Sequence, residues 1–359
     1  MAFTRQQPYN NLPLLPPDRS AFETVAVYKK LTEARAALAE LKGRLPVIPN
    51  PLMLINTLVL QEARDSSEIE NVVTTSDKLY RAFASRRPNV DPITKEVLRY
   101  REALWDAFQY LQRSKKWDLD WITHIFRTIT QKDEAVRTGQ VYIGSAYNIV
   151  YTPPESGKIL NRKLKNWLDF VLSENDIDPL IRMAILHYQF EAIHPFSDGN
   201  GRTGRILNVL FLTHHSLLDL PVLYISKYIL EFKNEYYRLF AEVTEKGNWE
   251  SWVVFMLEAV HTTSQFTLGK VNAIYDLFNE VRREVREKAK NMYSRELIEV
   301  LFSQPYCKIQ VLVDHKIGSR NTAGKYLKKM ADMGILGTEK EGKEVLYLNK
   351  RLYEILAQP

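Results

Sequence analysis

Two stretches at the centre of the chain limit its fold more than any other feature. In residues 178–196, DPLIRMAILHYQFEAIHPF, apolar side chains recur at helical spacing, and residues 201–218, GRTGRILNVLFLTHHSLL, read as a second helix. Apolar side chains at that period describe a helix buried against other elements. Pro195 stops the first helix and the next resumes near Arg202, so SDGNG is a loop that opens into a helix N-terminus. A chain with this centre must build a helical core around it.

The flanking sequence supplies that core. ETVAVYKKLTEARAALAELKGRL ends near Pro46, and PNPLMLINTLVLQEARDSSEIENV continues behind a proline stop as one helix. DPITKEVLRYREALWDAFQYLQRS carries Asp91 as N-cap and Pro92 at the first helical position. LDWITHIFRTIT, NRKLKNWLDFVLSE and ILEFKNEYYRLFAEVTE also read as helices, and the long stretch 248–289 is expected to break near Gly269. AVRTGQVYIGSAYNIVYTPP departs from the pattern: β-branched and aromatic residues with glycines, closed by two prolines, signal a hairpin. Residues 1–20 read as an extended arm. From Ser294, three short helices precede GTEKEGKEVLYLN, a hairpin turning at Glu341-Gly342. Three helices and a wing is the pattern of a winged helix-turn-helix. The expected fold class is mainly all-α, a helical bundle with one hairpin and a C-terminal winged helix-turn-helix.

The chain has 359 residues, 45% of them hydrophobic, enough for a sizeable core and two or three domains. Its formal net charge of +6 suits an anionic ligand or nucleic acid without selecting between them. Cys307 is the single cysteine, which excludes an intramolecular disulfide and a cysteine-built metal site. The polar, proline-rich N-terminus lacks a signal-peptide core, and no stretch approaches a membrane span. A soluble cytoplasmic protein with no membrane partner is expected.

The loop HPFSDGNGRTGR carries the chemistry. A helix N-terminus presents unpaired N–H groups and a partial positive charge, which together suit an anion. Gly199, Gly201 and Gly204 let the backbone curl close to a ligand. Arg202 and Arg205 lie three apart and can reach the same side; their forks match phosphate oxygens, so a polyphosphate fits better than one phosphate. Asp198 is a hard oxygen ligand of the kind Mg2+ takes beside phosphates. Asn200 can donate to a phosphate oxygen, and His194 has the intrinsic pKa of a base for a hydroxyl. A plain glycine turn with solvated arginines would not need base, carboxylate, amide and cations in this order.

The string resembles the signature of Fic-domain proteins, His-x-Phe-x-Asp/Glu-Gly-Asn-Gly-Arg-x-x-Arg, at every specified position. The resemblance extends over residues 55–265. It implies an all-helical Fic-type bundle and transfer of AMP from ATP to a Ser, Thr or Tyr hydroxyl of a target protein or of the chain itself, with Mg2+ as cofactor. On that resemblance His194 is the base, Phe196 anchors the loop and Asp198 holds Mg2+. Gly199, Asn200 and Gly201 form the anion hole for the α- and β-phosphates, Arg202 and Arg205 hold the β- and γ-phosphates, and Thr203 and Gly204 complete the nucleotide-binding loop. A phosphorylating branch carries Lys where this chain has Gly201, which argues against phosphoryl transfer.

RTGQVYIGS resembles the family's flap, which pairs with a target segment by strand addition. Gly139, Gln140, Val141, Tyr142 and Ser145 belong to that flap, with Ile143 and Gly144 beside the nucleotide. SSEIEN resembles the family's inhibitory motif, Ser/Thr-x-x-x-Glu-Gly/Asn, through Ser66, Glu70 and Asn71. Glu70 would pair with Arg205 and compete with the γ-phosphate. The family's adenine slot, lined by a tyrosine and an asparagine, implies Tyr236 and Asn248, with Tyr237 adjacent, in NEYYRLFAEVTEKGNW.

The implied divisions are an arm and helix over 1–54, an inhibitory region over 55–90, a Fic core over 91–265, a linking helix over 266–293 and a winged helix over 294–359. In the last, SRNTAGKYLKKM reads as a recognition helix with Lys325, Lys328 and Lys329 on its polar face, and Lys340 and Lys343 in the wing could meet DNA phosphates. A homodimer is expected, because the family often pairs and the arm looks adhesive. The alternatives to an AMP transferase are a DNA-binding regulator whose Fic domain senses nucleotide, or a de-AMPylating enzyme. The full set His194, Asp198, Arg202 and Arg205 favours an enzyme over a sensor, since a sensor needs no base.

Overall fold

The computed structural model describes residues 3–85, 90–145, 148–341 and 344–357. After an arm holding one 3-10 turn, Arg19–Ala21, α1 runs Val25–Arg44 behind an N-cap in which Thr24 Oγ1 accepts from the Val27 N–H. The single helix expected over 49–72 is two, α2 (Pro51–Ile55) and α3 (Leu58–Ile69). The Thr57 hydroxyl donates back to Met53 O at 2.5 Å, a local bond that competes with continuing the helix. α4 (Ser76–Ser85) is not among the expected helices. α5 (Pro92–Ser114) is: Asp91 Oδ1 accepts from the Thr94 N–H at 2.9 Å, as the capping pattern requires. α6 (Leu119–Thr130) leads into the hairpin, β1 (Ile143–Ser145) and β2 (Asn148–Tyr151). α7 (Lys158–Leu172), α8 (Pro179–Ile193), α9 (Asn200–His214), α10 (Ile225–Glu231) and α11 (Lys233–Lys246) follow, and α12 then spans Trp249–Lys288.

α12 does not break at Gly269. Lys270, Val271 and Ile274 beside it are buried, and α12 packs along α1. That packing exceeds the roughly 1 kcal/mol a helical glycine costs.

The tail adds α13 (Arg295–Phe302), β3 (Tyr306–Cys307), α14 (Ile309–Asp314), α15 (Arg320–Asp332), β4 (Gly337–Glu341), β5 (Glu344–Leu348) and α16 (Lys350–Ala357). The strands lie antiparallel in the order β3-β5-β4. β3 and α16 extend the expected pattern of three helices and a hairpin. Gly342 and Lys343, at the expected turn, lie outside the described residues.

α8 is the centre of the core. Every residue from Leu180 to Ile193 is buried, and so is α9 from Arg202 to Thr213. Some of the polar groups there find backbone partners. The Trp167 and Trp252 indoles donate to Leu186 O and Ala184 O. Arg182 Nη2 donates to Phe170 O at 2.7 Å and Val171 O at 2.9 Å, satisfying carbonyls left open at the end of α7.

The arm, despite its adhesive sequence, closes on its own domain. Leu12 and Leu15 are buried, Lys163 Nζ donates to Leu12 O, and Gln189 Nε2 donates to Pro13 O at 2.7 Å. The Tyr9 N–H donates to Thr152 O at 3.0 Å, so the arm also braces the foot of the hairpin. The tail closes on α3 and α4. Gln61 Nε2 and Lys270 Nζ both donate to Leu356 O, Tyr306 Oη donates to Asp77, and Arg81 pairs with Glu339 on β4 while covering the Tyr306 ring at 4.7 Å.

The arm is therefore part of the core, and Leu12→Ala should lower unfolding free energy by about 2–4 kcal/mol. Chemical denaturation measures this, and a change under about 0.5 kcal/mol, the scale of a surface substitution, would show the arm to be unpacked in solution.

Candidate active site

His194 sits where α8 ends. Its φ is 49, the left-handed region that non-glycine residues rarely adopt. Three bonds hold it there. Its N–H donates to Phe190 O at 3.0 Å, its carbonyl accepts from Arg137 Nε at 2.8 Å, and its Nδ1 lies 3.3 Å from Glu191 O. The last contact puts the proton on Nδ1 and leaves the Nε2 lone pair free. Loss of hydration, with Arg137 adding repulsion, pushes the imidazole pKa down to about 4, so the ring is neutral at pH 7.

Beyond His194 the loop is fixed from inside. Phe196 is fully buried and stacks on Phe126 with centroids 4.3 Å apart. Asn200 Oδ1 accepts from the Phe196 N–H and Asn200 Nδ2 donates to Phe196 O, both at 2.9 Å. That amide, expected to donate to a phosphate, clamps the loop and keeps a second N–H on Nδ2. Gly199 is the N-cap of α9 at φ 62. A Cβ on Gly201 would lie 2.5 Å from Glu70 Oε1 and 2.7 Å from Arg205 Nη1, so a side chain there would fill the cradle.

The Arg205 guanidinium is buried. Nε donates to Ser66 Oγ at 2.7 Å, and Nη2 donates to Ser66 O at 2.7 Å and to Glu70 Oε1 at 3.0 Å. Arg202 is buried too, with Nε donating to Glu70 Oε2 at 2.7 Å. One carboxylate thus bridges both guanidiniums, where the sequence motif suggests only the Arg205 pair. Glu70 is held there by the end of α3. Asn71 takes φ 63, its N–H donates to Glu68 O at 2.9 Å, and the Val72 N–H donates to Ser67 O at 3.0 Å. This is a Schellman cap, whose left-handed position favours Gly or Asn.

Asp198 faces outward, half exposed. Its Oδ1 accepts from the Gly199 N–H at 2.7 Å, and its Oδ2 pairs with Lys132 Nζ at 3.2 Å. Burial would raise its pKa, but those two contacts outweigh it and hold the carboxyl below its ordinary value. An ionised carboxylate already facing a cation fits Mg2+, which needs one protein carboxylate beside substrate phosphates and water.

β1 and β2 pair antiparallel, with Ile143 opposite Tyr151 and a bulge before Gly144. Gly139, Gln140, Val141 and Tyr142 form the approach to β1, not part of it; Gln140 Nε2 ties to Pro153 O at 2.9 Å, and Tyr142 is exposed. Ser145 ends β1. Arg137 joins hairpin to loop. It is buried, and besides His194 O it reaches Gly139 O at 2.9 Å and Pro154 O at 2.5 Å. No sequence signal marks Lys132, and the flap segment that Arg137 opens gives it no role.

Four expected nucleotide contacts lie elsewhere. Thr203 is fully buried. Gly204 packs against Phe190 and Glu191, where a Cβ would collide with Glu191 Oε1. Tyr236 is buried with its hydroxyl 3.0 Å from His187 Nε2. Asn248 caps α12, accepting from the Ser251 N–H and donating to Glu242. Arg205, Glu191 and Glu70 act on both tyrosines, but the neighbouring Tyr237 is 40% exposed where Tyr236 is buried.

Two buried helices joined by a glycine-rich loop, with two inward guanidiniums and a neutral histidine, define a helical domain built around a charged cluster. The Fic/DOC family model matches residues 116–212, the Fic/DOC family N-terminal model matches 28–109, and the model for the C-terminal domain of SoFic-like protein adenylyltransferases matches 277–352. Over these residues the chain carries Fic/DOC family domains. It is 32% identical over 145 residues to the protein adenylyltransferase fic-1 of Caenorhabditis elegans, 39% of this chain and 26% of that one. It is 41% identical over 81 residues to a probable protein adenylyltransferase of Aquifex aeolicus, 22% of this chain and 24% of that one. The matches thus span about a quarter of these curated relatives' length. A Fic family protein of Desulfovibrio desulfuricans G20 shares the fold at TM-score 0.56 and 20% identity, over 90% of this chain and 96% of that one. A Fic domain containing signaling protein of Bacteroides thetaiotaomicron does so at 0.54 and 18%, over 67% and 95%.

Glu191, under the loop, gives a pH test. Its Oε1 has no hydrogen-bond partner, and burial pushes its pKa up to about 8 although Arg205 pulls it down. A carboxyl whose folded pKa is raised adds stability that is complete below its unfolded pKa near 4.5 and lost as pH climbs through about 8. Glu191→Gln, isosteric and neutral, should therefore gain stability relative to wild type between pH 5 and pH 9. Denaturation at both values checks this; an unchanged difference would mean Glu191 is ionised throughout.

Proposed function

We propose that the chain is a protein adenylyltransferase that transfers AMP from ATP to a hydroxyl of a target protein or of itself, and that Glu70 holds it in an inhibited state. The observation that carries this reading is the Glu70 carboxylate bridging Arg202 and Arg205 beside the neutral His194. An acid stands on the two cations suited to a triphosphate's terminal phosphates.

In the reaction, the hydroxyl oxygen bonds to the α-phosphorus, its proton passes to His194 Nε2, and the bond to the β-phosphate oxygen breaks to release pyrophosphate. Charge developing on the α-phosphate would meet the N–H groups that open α9, and fixed donors of this kind supply much of a rate enhancement. Arg202 and Arg205 would clamp the leaving group in line. Asp198 would hold Mg2+, which when bound supplies charge neutralisation at the phosphates. The hairpin suits a target segment added as a strand, since backbone bonds set register while tolerating side chains. Tyr237 would border the nucleoside.

Inhibition follows from the same geometry. With Glu70 on both guanidiniums, a γ-phosphate meets a carboxylate in its place. ATP would then bind in a pose that does not align the α-phosphorus with the hydroxyl.

A second reading, nucleic-acid binding by the tail, rests on α15, where Arg320, Asn321, Lys325, Lys328 and Lys329 are exposed. It ranks lower because Glu339 of the adjoining strand is engaged with Arg81 on α4. A salt-dependent gel shift with random duplex DNA would favour it.

The decisive experiment uses radiolabelled ATP. Glu70→Gly should raise self-labelling about 10- to 100-fold, the scale of a desolvated carboxylate–arginine coupling. His194→Ala should abolish labelling in both backgrounds. If Glu70→Gly labels no faster than wild type, Glu70 is not a brake; if His194→Ala labels normally, the base lies elsewhere.

A further inference from the structure

Arg202 has a second acidic partner that the motif does not contain. Its Nη1 pairs with Glu96 Oε1, and its Nε with Glu70 Oε2 at 2.7 Å, while Nη2 lies 3.9 Å from Asp198 Oδ1. Carboxylates therefore face all three nitrogens of one guanidinium. Burial would lower the Arg202 pKa, but Glu70 and Glu96 outweigh it and keep the group charged.

The three acids do not sit on equivalent supports. Glu70 is the C-cap of α3, at the last turn of a helix end. Asp198 is half exposed in the loop. Glu96 lies in the second turn of α5, a 23-residue helix capped by Asp91 and packed on α3, α6 and α9. The Glu96 side chain meets Arg202 Nη1 from one turn inside a helix start that Asp91 caps, so its backbone is already hydrogen-bonded into α5.

The guanidinium has two usable edges. Nε and Nη2 form one, and that edge faces Glu70 and Asp198, the groups at the mouth of the cradle. Nη1 points the other way, to Glu96. An anion replacing Glu70 meets the Nε/Nη2 edge only while the plane keeps its present orientation, and bidentate arginine recognition is lost when the fork rotates.

We propose that Glu96 is a positioning residue for nucleotide: it stays on Nη1 after Glu70 leaves and holds the Arg202 fork edge-on to the terminal phosphates of ATP. The proposal rests on the adenylyltransferase reading above. It assigns Glu96 the opposite effect from Glu70, although both are acids on the same arginine. Removing Glu70 frees the edge, whereas removing Glu96 lets the edge turn away.

The test uses the full chain carrying Glu70→Gly, with Glu96→Gln or Glu96→Ala added. Calorimetric affinity for ATP and for AMP is measured beside the KM and kcat of self-labelling. Glu96→Ala should weaken ATP binding and raise the KM for ATP about tenfold, with Glu96→Gln falling between, since it keeps an acceptor without charge. AMP lacks the phosphates Arg202 would hold, so its affinity should stay within about twofold. A merely structural role would weaken both nucleotides together and lower the melting temperature. Equal weakening of ATP and AMP overturns the proposal, as does unchanged ATP affinity. Activation of the otherwise wild-type chain by Glu96→Gln would overturn it too, by making Glu96 a second latch. If the Glu70→Gly chain binds no ATP, the reading of the site itself fails. If it binds and labels but ignores Glu96, only the positioning role fails.

Discussion

The Arg205 guanidinium is charged, buried and unable to lose its proton, and the architecture around it answers that problem. A buried cation without partners costs several kcal/mol. α9 cannot supply acceptors to its own side chain in this position, so they come from α3, as the hydroxyl and carbonyl of Ser66 and the carboxylate of Glu70. While α3 otherwise packs on α5 and α10, its bonds to α9 follow from this one residue's need. So does the left-handed Asn71, because the Schellman turn that ends α3 there sets the Glu70 side chain on the guanidiniums.

The need also explains why the site suits phosphate. Ser66 gives Arg205 two neutral acceptors that stay with α3, but it brings no charge. Among the described residues Glu70 is the carboxylate in an ion pair with the cation, and it is partly exposed. Removing that carboxylate leaves a solvated, hydrogen-bonded but uncompensated guanidinium facing a helix N-terminus. A phosphate oxygen is the natural replacement, with the same charge sign and the same fork geometry.

The helical centre was readable because burial and punctuation agree: α8 is predominantly apolar, Pro195 stops the run, and glycines mark the loop. Asp91 as a cap was readable for the same local reason. What failed was facing. A motif gives the order of residues along α9, yet a helix turns about 100° per residue, so Thr203 and Gly204 point into the core while Arg202 and Arg205 point to the cradle. The same one-step rotation separates buried Tyr236 from exposed Tyr237. Asn248 was misread because a cap and a ligand contact call for the same amide. Arg137, Lys132 and Glu96 act across 57, 66 and 106 residues of sequence separation, and no local pattern encodes contacts of that range.

The surroundings of α3 decide what kind of movement can open the site. Ten of its twelve residues are buried. Gln61 is bonded to Leu356 of the tail and to Tyr224, and Glu62 accepts from Ser226 and Tyr100 in an environment that pushes its pKa up to about 7. Withdrawing the helix would strand these groups, at roughly 1–3 kcal/mol each, and would uncover the α16 contact as well. Rotating the Glu70 side chain strands nothing that an incoming phosphate does not satisfy again. The tail therefore acts on the site as a backstop, fixing α3 so that exchange at the two arginines is a movement of one carboxylate at a helix cap. On the proposed function, a triphosphate need only displace Glu70 from two hydrogen-bonded ion pairs, and it would bring its own charge to that exchange.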